Sequence, residues 1–218
     1  MKGGFHEEFE RWWQEAGSRP MNEGIKVESE RRLSPILGKW ISVNKAMAAA
    51  WKWEECPWWC NERASVSIFA AAVWKAGGIA LEEFCDEKVY RRSRYKGRCD
   101  LYFKFRGKEY TAEAKHIWSA AGPRSNGAIS PIEEALRSAS DDVKHVKETE
   151  TKLSIVFAVP YFPKSCENEL DLLLKKWRDQ LLKIPCYNMA WVFPKKARRA
   201  LISKNEFYPG AAVILRKA

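Results

Sequence analysis

The sequence has few histidines, no long hydrophobic run and no internal repeat. Only three of its 218 residues are histidine, and they are scattered along the chain, which disfavours a histidine-based metal centre. No apolar stretch approaches the roughly 18 residues that a membrane-spanning helix needs. The first residues also lack the basic-then-apolar order of a signal peptide. We therefore expect a cytoplasmic protein without a membrane partner.

The six cysteines do not form a recognisable metal-binding pattern. Cys56 and Cys60 make a CxxxC pair within CPWWC, but no second pair follows at the spacing of a zinc finger. A chain of this length without a secretion signal is expected in a reducing compartment. We interpret the cysteines as free thiols.

Positive charge is in excess. Lysine and arginine number 38 against 28 acidic residues, which gives a net charge of +10. Such a balance favours a nucleic acid, DNA or RNA, as the partner. The candidate phosphate contacts are Arg92, Arg94, Lys96 and Arg98, which crowd before Asp100, and Lys144 on a later helix. The alternative for the first group is a solvated basic loop. A second basic cluster spans residues 195–199.

Periodicity and turn residues predict an α/β fold with a mixed central sheet flanked by helices. Asn61 and Gly77 are placed to cap a helix at both ends, and a second helix is expected to begin at Ser130-Pro131 with Glu133 in capping-box position. The predicted order is helix 61–76, a strand near 80–85, hairpin strands near 98–105 and 108–116, helix 131–148 and strand 153–159. A further helix and two closing strands follow.

Residues 1–58 are expected to form an aromatic-rich helical extension, and residues 59–218 the main domain. Residues 5–17 have the spacing of a short amphipathic helix, and residues 18–35 are interpreted as an irregular linker. Tryptophans are concentrated at Trp40, Trp51, Trp53, Trp58 and Trp59. Clustered tryptophans can stack on bases, but we interpret these as filling a core or an oligomer interface. A homodimer built on this segment is possible.

The hairpin DLYFKFRGKEYTAEAK carries charges that call for an explanation. If Arg106-Gly107 is a two-residue turn, Phe105 pairs with Lys108 and, further along, Asp100 faces Glu113. Two carboxylates directly opposed on a sheet destabilise it. A divalent metal with a preference for oxygen would remove the conflict, and Mg²⁺ uses one or two carboxylates together with waters and substrate phosphates. Lys115, on the same face, would then point beside the metal.

This pattern resembles the PD-(D/E)xK superfamily of nucleases. The resemblance lies in GRCD, residues 97–100, and AEAK, residues 112–115, with Cys99 where the family usually has proline. It implies a restriction-endonuclease-like α-β-β-β-α-β core over roughly residues 60–160. It also implies that Asp100 and Glu113 bind Mg²⁺ or Mn²⁺, that the Ala114 carbonyl adds a ligand, and that Lys115 orients the nucleophile. Glu62, on the first helix, would reach the metal directly or through water.

The expected function is therefore metal-dependent hydrolysis of phosphodiester bonds in DNA by an activated water. The catalytic residues would be Glu62, Asp100, Glu113 and Lys115. Two alternatives belong to other classes. One is a catalytically silent nucleic-acid-binding or assembly module with the same fold. The other is a protein-interaction module that uses the tryptophan-rich segment as its contact surface.

Overall fold

The computed structural model describes residues 21–90, 93–123, 128–146, 151–202 and 205–218, with backbone alone for residues 85–90, 93–96 and 201–202. Its α-helices are α1 (Ser34–Ala50), α2 (Glu62–Lys75), α3 (Ser130–Lys144) and α4 (Leu170–Leu181). Its strands are β1 (Glu23–Val27), β2 (Ile79–Tyr90), β3 (Ser93–Phe105), β4 (Lys108–Ala120), β5 (Thr151–Pro163), β6 (Asn188–Val192), β7 (Leu201–Ile202), β8 (Glu206–Phe207) and β9 (Ala211–Lys217). Short 3₁₀ helices lie at Arg31–Leu33, Pro57–Trp59 and Lys164–Glu169.

The strands form one mixed, mostly antiparallel sheet with the order β1-β6-β9-β5-β4-β3-β2. In the part of the chain that is described, β4 and β5 are the only parallel neighbours. The predicted α/β class with a mixed sheet flanked by helices is confirmed. No helix among the described residues combines the length and the apolar character needed to cross a bilayer.

Helices cover both faces of the sheet, because the central strands are apolar on both sides. On β5, Ile155 and Phe157 pack into the cluster that contains α1 and α2, whereas Val156 and Ala158 pack into the cluster that contains α3 and α4. This alternation explains the continuous apolar run at residues 155–159, which is typical of a strand buried on both faces.

The β3–β4 hairpin has the predicted register. Phe105 pairs with Lys108 and Leu101 pairs with Ala112. Arg106 and Gly107 have φ values of 49° and 77°, as a two-residue type I′ turn requires. The predicted apolar side of the hairpin is buried, and its members are Leu101, Phe103, Phe105, Tyr110, Ala112 and Ala114.

Helix ends agree with their sequence signals except at α3. The Asn61 side chain accepts a hydrogen bond from Ala64 N at 3.1 Å, and Gly77 follows α2 with a φ of 88°. At α3 the cap position falls on Ile129 and no side-chain cap bond forms. The predicted capping box is therefore wrong, since Ser130 already belongs to the helix.

The segment before α1 is more regular than the predicted linker, because β1 pairs with β6 at the edge of the sheet. Trp40 and Trp58 are buried, and Trp53 and Trp59 pack against the same core. This confirms the structural interpretation for these four tryptophans, while Trp51 is exposed. The predicted helix at residues 5–17 lies outside the described residues.

Candidate functional site

The site lies where β3 and β4 separate. Their ladder ends at the pair Leu101–Ala112. Beyond this point β3 stays with β2, and β4 runs on beside β5, where Glu113 pairs with Ser154. The predicted direct opposition of Asp100 and Glu113 is therefore wrong, because each strand is held by its other neighbour and the two diverge one pair earlier. We call this opening the strand fork.

Hydrogen-bonding pairs alternate along an antiparallel ladder, and the residues that flank a two-residue turn form such a pair. Lys108, Tyr110 and Ala112 therefore direct their backbone N–H groups towards β3. By the same alternation, Ala114 and His116 direct theirs into the strand fork, where β3 no longer supplies acceptors. The Ala114 carbonyl points to the same side.

Two carboxylates supply the missing acceptors. Asp100 Oδ2 accepts a hydrogen bond from Ala114 N at 2.7 Å, and Glu62 Oε2 accepts one from His116 N at 3.1 Å. Acidic groups from β3 and from the start of α2 thus meet successive inward-facing amides of β4. The structure brings both predicted residues to the part of β4 that carries Glu113 and Lys115.

Glu62 is in the first turn of α2 because Asn61 caps the helix immediately before it. Burial and the negative charge of Asp100 raise the pKa of Glu62, while the charge of Lys115 and the hydrogen bond from His116 N act in the opposite direction. The acidic groups repel each other, which is the electrostatic situation that a bound cation relieves.

Glu113 lies on the opposite face of β4 from the apolar hairpin residues. Glu113 is 5% exposed, and Thr111, the preceding residue on the same face of β4, is fully buried. A carboxylate at such depth is costly unless it is paired or hydrogen-bonded. Glu113 therefore lies under the protein surface, on the face of β4 that also carries Lys115.

Lys115 forms an ion pair with a residue that the sequence did not single out. Its Nζ lies 2.9 Å from Asp142 Oδ2 on α3. Burial alone would lower the pKa of Lys115, but the hydrogen bond and charge of Asp142, with the charges of Glu62 and Asp100, raise it above its usual value. Lys115 is therefore an ammonium donor at neutral pH.

An open cleft of about 260 Å³ adjoins the strand fork. It is lined by Glu62, Arg63, Val66, Glu82, Glu83, Arg98 and Asp100. The Glu83 carboxylate binds Arg63 Nε at 3.0 Å and Arg98 Nη1 at 2.8 Å. Glu83 has a φ of 46°, and strained backbone of this kind concentrates at functional sites. Arg98 thus lies beside the candidate site, together with Arg63, which no sequence pattern indicated.

No interaction among the described residues places the other residues predicted to bind nucleic acid at the strand fork. Arg92 lies outside the described residues, and Arg94 and Lys96 have only their β3 backbone described. Lys144 ends α3, where its Nζ lies 2.9 Å from Asp141 Oδ1. In the second basic cluster, Arg198 is buried and bonds to Asp171, so it supports the fold.

The donor chemistry fits a divalent metal only in part. Within the described residues, no three histidine, cysteine, aspartate or glutamate side chains are grouped so that they could hold a metal ion. Asp100, Glu113 and Glu62 are therefore not a complete protein cage. Mg²⁺ commonly uses one or two carboxylates and takes its remaining ligands from water and substrate phosphate. A site of that kind, with Asp100, Glu113 and the Ala114 carbonyl as protein ligands, stays a prediction.

Asp142, Arg63 and Glu83 are the residues of the site that the sequence did not reveal. Asp142 lies beside the packed face of α3. That face is a stripe of buried residues that includes Leu136, Ala139 and Val143. The strand residue that Asp142 contacts depends on how α3 lies across the sheet.

Comparisons of the chain with protein-family models, curated proteins and solved structures found no match.

Proposed function

We propose that the chain is a metal-dependent nuclease of the PD-(D/E)xK type that hydrolyses phosphodiester bonds in DNA. One observation carries the proposal: the strand fork brings Glu62 and Asp100 onto adjacent inward-facing amides of β4, next to Glu113 and Lys115. The element order α2-β2-β3-β4-α3-β5 is also the order that the resemblance to these nucleases implies. The net charge of +10 supports a polyanionic substrate.

Each residue has a distinct role in this proposal. Asp100 and Glu113 would hold Mg²⁺ or Mn²⁺, with Glu62 in contact directly or through water. A bound divalent ion supplies positive charge that activates water and stabilises charge on phosphate. In the hydrolysis, the attacking water releases a proton to solvent as its oxygen bonds to phosphorus. The bond from phosphorus to one bridging oxygen breaks, and that oxygen takes up a proton from solvent.

Lys115 acts as a donor in this scheme. Because its pKa is raised, the side chain is protonated at neutral pH and is a poor base. It can orient the attacking water and donate a hydrogen bond to the phosphate as negative charge accumulates. Asp142 holds the ammonium group in place before the substrate arrives.

A second candidate is a catalytically silent nucleic-acid-binding or assembly module. Two observations favour it: Glu62 and Asp100 already bind backbone amides, and Lys115 already has a carboxylate partner. In that case the charged groups stabilise the diverging strands in place of the missing ladder.

Cleavage assays separate the two candidates. Wild type and Lys115→Ala would be incubated with supercoiled DNA, linear DNA and RNA in Mg²⁺, in Mn²⁺ and in EDTA. The nuclease proposal expects metal-dependent cutting of DNA that is lost in Lys115→Ala. DNA binding by wild type, without cleavage of any substrate in either metal, would favour the binding module.

A further inference from the structure

Three aromatic side chains form a partly exposed surface next to the strand fork. The Trp118 ring lies 5.1 Å from that of Tyr208, edge to face, and the Tyr208 ring is stacked on Tyr161 at 5.8 Å. Trp118 is 42% exposed. Trp118, Tyr161 and Tyr208 are called the aromatic shelf below.

The aromatic shelf is held in place by the surrounding fold. Trp118 is near the end of β4 and Tyr161 near the end of β5, and these strands are parallel, so both ends lie at one edge of the sheet. The Tyr208 carbonyl accepts hydrogen bonds from the indole N–H groups of Trp58 and Trp59, at 3.0 and 3.2 Å. The shelf is therefore positioned before any ligand binds.

His116 connects the aromatic shelf to the catalytic candidates. Its backbone N–H binds Glu62, and its ring lies 4.8 Å from the ring of Trp118. Trp118 follows Ala114 by four residues, which is about 13 Å along a strand. A single DNA strand of a few nucleotides therefore spans both places.

We propose that the aromatic shelf stacks an unpaired base of a DNA strand whose backbone lies in the strand fork, so that the substrate has a single-stranded segment. Aromatic side chains bind bases of any sequence through their faces, and paired bases inside a duplex do not offer those faces. The excess of positive charge over the chain favours this polyanion over an apolar partner. The proposal deepens the proposed function and rests on its choice of nucleic acid as substrate.

Binding would be measured by fluorescence anisotropy in EDTA, with labelled (dT)15 and a labelled blunt 15-base-pair duplex. Trp118→Ala should weaken binding of (dT)15 about tenfold, whereas Trp118→Phe, which keeps an aromatic face, should stay within about threefold of wild type. Duplex binding should change less than about threefold in both variants. If Trp118→Ala fails to fold, Trp118→Leu replaces it, because leucine fills the space beside Tyr208 without an aromatic face.

Trp74→Ala is the matched control. Trp74 is 56% exposed but lies at the far end of α2, twelve residues and about 18 Å from Glu62. The Trp74→Ala variant should bind (dT)15 and the duplex with the affinities of wild type. Equal weakening for (dT)15 and duplex in Trp118→Ala, or unchanged (dT)15 binding, would overturn the proposal. A changed oligomeric state with unchanged DNA binding would also overturn it and would identify a protein contact.

The two proposals fail separately in these experiments. All binding is measured without metal, so a chain that never cleaves DNA can still show the selective loss in Trp118→Ala. Conversely, metal-dependent cleavage together with unchanged (dT)15 binding in Trp118→Ala would refute the aromatic shelf alone.

Discussion

Replacement of Lys115 and of its partner Asp142 separates a catalytic lysine from a structural one. The two side chains form an ion pair at 2.9 Å and are about 31% and 46% exposed. Exposed pairs of this kind contribute about 0.2–1 kcal/mol to the free energy of unfolding. For a chain of this size, 1 kcal/mol corresponds to a shift of about 2–4 °C in Tm. Lys115→Met and Asp142→Asn should therefore lower Tm by a few degrees at most, and by similar amounts.

Their effects on cleavage should differ. Loss of a donor that stabilises developing charge reduces kcat by about 10²–10³, or about 2.7–4 kcal/mol in the activation barrier. We expect a loss of that size in Lys115→Met. Asp142→Asn keeps the ammonium group and an oxygen near it, so its rate should stay within about tenfold of wild type.

Initial rates of plasmid cleavage in Mg²⁺, together with thermal unfolding of each variant, would test this difference. Equal losses of rate in the two variants would show that the ion pair, and not the donor, is what cleavage requires. Cleavage by Lys115→Met at the wild-type rate would refute the assigned role of Lys115 outright.

Three further predictions follow from named contacts. Asp100→Ala removes the acceptor of the buried Ala114 N–H and should lower the free energy of unfolding, measured in urea, by about 1–3 kcal/mol. Asp100→Asn keeps an acceptor oxygen and should lower it less. Equal losses of stability in the two variants would contradict the role of this hydrogen bond. Burial and Asp100 raise the pKa of Glu62, so its contribution to stability is present below its unfolded pKa of about 4.3 and is lost as the pH rises through the folded value. In EDTA, stability should therefore fall less above pH ~4.3 in Glu62→Gln than in wild type, and equal falls would count against the shift. Burial raises the pKa of Cys56 to about 12. At pH ~8 a disulfide reagent should therefore leave Cys56 unmodified and react with the exposed Cys60. If Cys56→Ser removes a fast-reacting thiol, Cys56 is accessible and this prediction is wrong.

The sequence was most informative where a local rule determines geometry. Arg106-Gly107 specified a two-residue turn, and the turn fixed the register of the hairpin up to Leu101–Ala112. The apolar run of β5 likewise indicated a strand covered on both faces. Asn61 placed Glu62 in the first turn of α2, which is why that residue could be named as a site candidate before its contact with His116 N was known.

Features that depend on distant partners were not predictable. The divergence of β3 and β4 beyond Leu101 arises because β2 and β5 hold the two strands separately. The strand β2 extends to Tyr90 because it pairs with the polar first half of β3, whose residues 93–98 show no hydrophobic alternation. Likewise, β1 becomes a strand because β6 offers an open edge, and the ion pair of Asp142 depends on how α3 crosses the sheet.

Metal binding at the strand fork is the central claim, and a titration with Mn²⁺ tests it most directly. Free Mn²⁺ would be followed by electron paramagnetic resonance in the presence of a cleavage-resistant phosphorothioate 15-mer, with wild type, Asp100→Asn, Glu113→Gln and Lys115→Met. We expect wild type to bind Mn²⁺, both carboxylate variants to bind at least about tenfold more weakly, and Lys115→Met to retain binding. Equal Mn²⁺ binding by wild type and the two carboxylate variants would contradict the claim.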